Sequence, residues 1–209
     1  MSTTLRPARP ALARRRFTVE EYYRMAEVGV LRPDERVELL DGEVVHVSPM
    51  GSPHAACVRA LNGQLAARVA GRALVCVQLP LRLDDHSEPE PDVMLVRPRD
   101  DGYASAHPGP GDALLVVEVG ASSAASDREV KGPLYARAGV PELWLVDLTR
   151  GEVTCCRAPA GEGWEHVTVH RPGDTLAPAA LPDLALDLEQ LLGPSLRALR
   201  AATGEGTSG

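Results

Sequence analysis

The spacing of apolar positions divides the chain into helical and extended stretches. "TVEEYYRMAEVG" (residues 18–29) predicts a helix, with Thr18 as cap, Glu20 and Glu21 at its positive end and Gly29 as its stop. "ERVELLDGEVVHVS" (35–48) predicts a β-hairpin about Asp41-Gly42, with Glu38 on its first strand and Val37 and Leu39 on the opposite face. "SPHAACVRALNGQLAARVAG" (52–71) predicts a helix with Ser52 as N-cap, Pro53 in the first turn and Gly71 at its end. Val58, Leu61, Leu65 and Val69 form its apolar face. "ALVCVQLPLRL" (73–83), "PDVMLV" (91–96) and "ALLVVEVG" (113–120) predict three strands, separated by "DDHSEPEP" and by the loop "RPRDDGYASAHPGPGD".

The third of these strands is almost continuously apolar, the pattern of a central strand covered on both faces. "SDREVKGPLYARAG" (126–139) has helical spacing that Gly132-Pro133 should bend or restart. "PELWLVDL" (141–148) predicts a strand, "GEVTCCRA" and "WEHVTVHRPG" a β pair, and "LPDLALDLEQLLG" (181–193) the approach to a last helix before the tail "GEGTSG". No internal repeat occurs. The core order is helix, strand, strand, strand, helix, strand, which predicts an α/β sheet sandwiched by helices, with β additions at both ends.

Composition narrows the function classes. The chain has 209 residues, 44% hydrophobic and 24% charged, which suits one globular domain. Aromatics are 3%, so Val, Leu and Ala must build the core and stacking platforms for single strands are scarce. A net charge of −7 argues against a basic nucleic-acid coat, but it leaves room for a site that meets phosphates through bound cations. The basic cluster "RPARPALARRR" (6–16) reads as a disordered arm, alternatively as a nucleic-acid contact. The N-terminus lacks the apolar h-region of a secretory signal, and no run approaches the ~18 apolar residues of a membrane span. Cys57, Cys76, Cys155 and Cys156 form no CxxC pair, and Cys155 and Cys156 with His166 and His170 fit no usual zinc spacing. Reduced thiols in a cytoplasmic protein are expected.

Four charged residues interrupt strong patterns. Asp92 opens an apolar strand, Glu118 sits inside another, Lys131 lies on the following helix and Glu38 on the hairpin. A carboxylate buried in such a strand costs several kcal/mol unless it is paired. Two carboxylates on neighbouring strands can share a face. A hard divalent cation such as Mg²⁺ relieves their repulsion and keeps positions open for water and phosphate oxygens, an arrangement suited to phosphodiester hydrolysis. Structural roles compete with this reading. Asp92 can cap its strand, Glu118 can pair with Lys131 or Arg128, Asp127 and Lys131 can form an i,i+4 pair, and Glu38 can be solvated. His54 in the first turn of its helix, Tyr135 one turn after Lys131, and the loop residue His107 are supporting candidates.

"PEPDVMLV", "LLVVEVGASS" and "DREVKGPLYARAGVPELWLVDL" resemble the Uma-type family of restriction endonucleases, part of the PD-(D/E)XK nuclease superfamily. The resemblance extends to "RVELLDGEVV", to "SPH", to "YASAHPGPGD" and to "LPDLALDLEQLLG". It implies a restriction-endonuclease-like α/β fold: a mixed sheet flanked by helices (α-β-β-β-α-β), an N-terminal helix plus β-hairpin, and a C-terminal β pair and helix. It implies Asp92 and Glu118 as ligands of Mg²⁺ or Mn²⁺, with the Val119 backbone carbonyl as a further ligand. Lys131 then takes the part of the superfamily lysine, since Gly120 stands where the superfamily usually places it; Glu38 and His54 match further polar positions. Relatives often carry Asp where Ala121 stands and an apolar residue where Gly132 stands.

The expected organisation is a basic arm at 1–15, one domain at 16–195, and a helix end and flexible tail at 196–209. The expected function is metal-dependent hydrolysis of DNA phosphodiester bonds, with a homodimer as the expected assembly. The alternatives are a nucleic-acid-binding or oligomeric regulatory module with a degenerate site and, in a third class, a small-molecule hydrolase or unrelated metal-binding protein.

Overall fold

The computed structural model describes residues 14–121 and 127–203. The tail and most of the basic arm lie outside the described residues. Arg14 and Arg15 are within them and pair with Glu43 and Glu21.

Helix α1 (Val19–Glu27) begins with a capping box between Thr18 and Glu21. The hairpin follows as β1 (Val37–Leu40) and β2 (Glu43–His46). Asp41 and Gly42 both adopt positive φ, 51° and 79°, the type I′ geometry whose twist matches the flanking strands. Gly42 also meets a close approach: a Cβ there would lie 2.5 Å from that of Arg16. The Phe17 N–H donates to the Gly42 carbonyl at 2.9 Å, tying the segment before α1 to the hairpin.

Helix α2 (Ser52–Val69) is capped by Gly51 rather than Ser52, which is its first helical residue. It ends two residues before Gly71, because Ala70 already turns left-handed at φ 47°.

One six-stranded sheet organises the rest, in the order β3 (Leu74–Cys76), β4 (Val93–Val96), β5 (Ala113–Gly120), β6 (Glu142–Asp147), β7 (Glu152–Ala160) and β8 (Gly163–His170). Only β5 and β6 run parallel, which requires a crossover. That crossover ends in a π-helical turn (Asp127–Lys131) leading directly into α3 (Gly132–Ala138). Pro133 lies in the first turn of α3, where its missing N–H leaves no α-helical bond unmade. A small pair, β9 (Thr175–Leu176) and β10 (Leu186–Asp187), precedes α4 (Leu188–Thr203).

Every residue of β5 is buried. On one face Leu115, Val117 and Val119 pack with Leu61 and Leu65 of α2 and Leu188 and Leu192 of α4. On the other, Val116 packs with Met94, Leu134 and Tyr135. The strand expected over 73–83 is shorter than its apolar run. Gln78 takes φ 51°, and residues beyond it fold into a loop closed by Leu81 N–H to Pro89 O and Leu83 N–H to Ser87 O. Leu81 and Leu83 are apolar because the loop inserts them into the core.

Candidate active site

The β4–β5 ladder pairs Val93 with Val117, which brings Asp92, just before β4, beside Glu118, two residues before the end of β5. Both carboxylates are buried, at 8% and 3% exposure. The crossover that makes β5 and β6 parallel returns Lys131 over Glu118, with Nζ 3.2 Å from Glu118 Oε1. The same ammonium lies 2.9 Å from Glu38 Oε2 on the hairpin. Tyr135, one turn later, donates its hydroxyl to Glu118 Oε1 at 2.6 Å, a charge-assisted bond. Lys131 thus joins three elements through two buried carboxylates. Removing one partner from such a buried pair typically costs about 3–5 kcal/mol.

Asp92 is held independently. Its Oδ2 accepts the Val119 N–H at 2.8 Å. Its Oδ1 lies 2.8 Å from His54 Nε2 in the first turn of α2 and accepts the Gln78 side-chain amide at 3.3 Å. The carboxylate also acts on its surroundings: burial first, then the Asp92 charge, pushes the Cys57 thiol up to about 12.

Glu38, Asp92, Glu118, Lys131, His54 and Val119 line one cleft of about 710 Å³. Its walls are the hairpin, the segment 47–51, the start of α2 and Leu199 of α4. The interior is electronegative. Burial and then the charges of Glu90, Glu88 and Glu38 raise the Tyr22 hydroxyl to about 12. Glu90, at the mouth, is itself raised above the usual carboxylate range by partial enclosure and then by Glu38, with Arg36 and Lys131 acting in the opposite direction.

The donor set is all oxygen, and Glu38 Oε2 is buried with no hydrogen bond beyond its ion pair. Carboxylate oxygens in a negative field fit a hard divalent cation. Among the described residues no group of three or more His, Cys, Asp or Glu side chains is placed to hold a metal ion. Such a cation would therefore be held by one or two carboxylates and backbone or water oxygens, the usual arrangement for Mg²⁺.

Most of the expected residues come together. Glu38, His54, Asp92, Glu118 and Lys131 line the one cleft, with Tyr135 bonded to Glu118, whereas the Asp127 side chain lies outside the described residues. His107 is elsewhere, stacked on Tyr23 with ring centroids 6.4 Å apart. Two cleft residues carry weaker sequence signals. Gln78 sits in an apolar run, and its non-glycine left-handed backbone, a conformation that clusters at functional sites, is invisible in the sequence. Glu90 could have been found from its place two residues before Asp92. Composition held another signal: of 22 basic residues, Lys131 is the single lysine and the other 21 are arginines.

Comparison with known proteins bears on the family and the fold. A family model described as Uma2, "Putative restriction endonuclease", matches residues 19–189. No curated protein matches the chain. Among solved structures, the crystal structure of a "putative nuclease belonging to DUF820" from Anabaena variabilis is similar, with a TM-score of 0.65 at 16% identity. The match covers 86% of this chain and 99% of that one. At that identity the likeness speaks for the fold, which is therefore shared with a nuclease-like structure. The family match spans every described residue of the cleft but Leu199, and the chain belongs to the Uma2 restriction-endonuclease family.

Proposed function

We propose that the protein is an endonuclease that hydrolyses DNA phosphodiester bonds with Mg²⁺ or Mn²⁺. The observation that carries this reading is the joint burial of Asp92 and Glu118 in one cleft, with Lys131 against Glu118, in a chain of this family. Asp92, Glu118 and the Val119 carbonyl would hold the cation, which when bound supplies Lewis-acid polarisation of the phosphoryl oxygens and an activated water.

The chain's own residues do the rest. The Val119 N–H, His54 and Gln78 fix the rotamer of Asp92, and Tyr135 and Lys131 fix that of Glu118. Lys131 presents a positive charge where the phosphorane becomes more negative, and it can orient a water for in-line attack. Glu38 holds the ammonium from the hairpin side. The expected products are a 5′-phosphate and a 3′-hydroxyl.

The test is cleavage of plasmid and oligonucleotide DNA with Mg²⁺ or Mn²⁺ by wild type, Asp92→Ala, Glu118→Ala and Lys131→Ala. Activity in wild type alone supports the reading. Equal activity in all four signals a contaminant, and inactivity with every substrate and metal moves the function to a binding module on the same fold.

A further inference from the structure

We propose that the cleft receives a single flexible DNA strand, including the unpaired tail of a duplex, rather than continuous double helix. This rests on the nuclease reading above. Depth is the first argument. Glu38, Asp92 and Glu118 are 4%, 8% and 3% exposed, so the reacting phosphate must leave the surface and descend between the hairpin and the start of α2. A duplex is stiff over about 150 bp and bends only at a cost of kcal/mol, whereas an unpaired strand turns inward freely.

Charge is the second. Among the described residues the cleft is lined by five carboxylates against one guanidinium, Arg36, and one ammonium, Lys131. A duplex presents one charge per ~1.7 Å and a single strand one per ~3.4 Å, so a single strand asks for fewer Lys and Arg contacts. This cleft offers one such contact at its mouth, and the chain as a whole carries −7.

The third argument is the wall. Val45 stands directly across the hairpin from Glu38 and is 38% exposed. Val47, Pro49, Met50 and Leu199 continue the apolar surface beside the carboxylates. An apolar wall next to a phosphate site suits a sugar edge or an unstacked base, surfaces that a paired strand keeps inside the helix. These wall residues are all non-aromatic, so the contact is van der Waals packing.

The test compares a fluorescent single-stranded oligonucleotide, the same sequence closed as a hairpin duplex, and a duplex with an unpaired tail. Binding is followed by anisotropy in Ca²⁺ and cleavage separately in Mn²⁺. The single strand and the tailed duplex should bind at least about tenfold more tightly than the closed duplex, as expected if about two methylene-sized apolar contacts form only with the unpaired strand. Met50→Glu should remove most of that preference at an unchanged melting temperature. Equal or tighter binding of the closed duplex overturns the proposal, as does binding of none of the three. Preferential binding of single strands without any cleavage keeps the proposal and removes the hydrolytic reading. Preferential cleavage within the closed duplex does the reverse.

Discussion

Lys131 holds two buried carboxylates at once. Lys131→Met leaves Glu38 and Glu118 in place without that ammonium, and the expected loss is about 3–5 kcal/mol by denaturant titration. Added Mg²⁺ should recover more stability in this variant than in wild type, since a cation can replace the missing charge. The chain's single lysine also makes a direct reading possible. Lysine-selective ¹³C labelling yields one ε-carbon signal, which should shift on titration with Mg²⁺ in wild type and not in Asp92→Ala.

Gln78 separates function from stability at the same scale. Its φ of 51° is strained for a side chain and free for glycine. Gln78→Gly should raise stability by about 1 kcal/mol in chemical denaturation. It should also weaken Mg²⁺ binding by about 10- to 100-fold, because Asp92 loses an amide that holds it. A variant that loses both stability and Mg²⁺ affinity would show that the lost bond to Asp92 and the added chain entropy of glycine outweigh the relieved strain.

Among the elements, the hairpin is the one most exposed to a single change. Gly42 combines a φ of 79° with a close approach to Arg16: a Cβ there would lie 2.5 Å from the Arg16 Cβ and 2.9 Å from its Cα. Gly42→Ala should cost about 2 kcal/mol or more, with a lower melting temperature, and should reduce activity through the displaced Glu38. The hairpin itself was legible from Asp41-Gly42, and β5 from its apolar run. The N-cap of α2 was misplaced by one residue, because Gly51, with no side chain to donate or accept, supplies the cap conformation. The strand expected at 73–83 failed at Gln78 because apolar periodicity reports burial, and a loop whose leucines insert into the core shows the same signal. At the crossover, Gly132-Pro133 pointed to a break, while the tertiary path decided its form: a π-helical turn that delivers Lys131 and, four residues on, Tyr135 to the same oxygen of Glu118.

For the molecule as a whole, burial of thiols sets an alkaline limit. Burial, reinforced by the carboxylates of Asp92 and Glu142 respectively, raises Cys57 and Cys155 from 9 to about 12 in the folded state. The folded protein therefore keeps a proton that the unfolded chain releases, and stability falls as pH rises from 9 toward 12. The slope expected for Cys57 is about 1.4 kcal/mol per pH unit. Denaturation midpoints measured across this range should decline less steeply in Cys57→Ala than in wild type. All four cysteines are free, as the sequence led one to expect, and no helix among the described residues is long and apolar enough to cross a membrane.

The sequence by itself determined the α/β class, the order of the elements and the four charged residues that break apolar patterns, because those are properties of periodicity and of the cost of burying charge. Only the tertiary structure decided that Glu38, Glu118, Lys131 and Tyr135 share contacts while Asp92 is held separately by Val119, His54 and Gln78. These partners lie 13 to 93 residues apart. Strand register, the β5–β6 crossover and a left-handed residue bring them together, and none of these is encoded in local spacing.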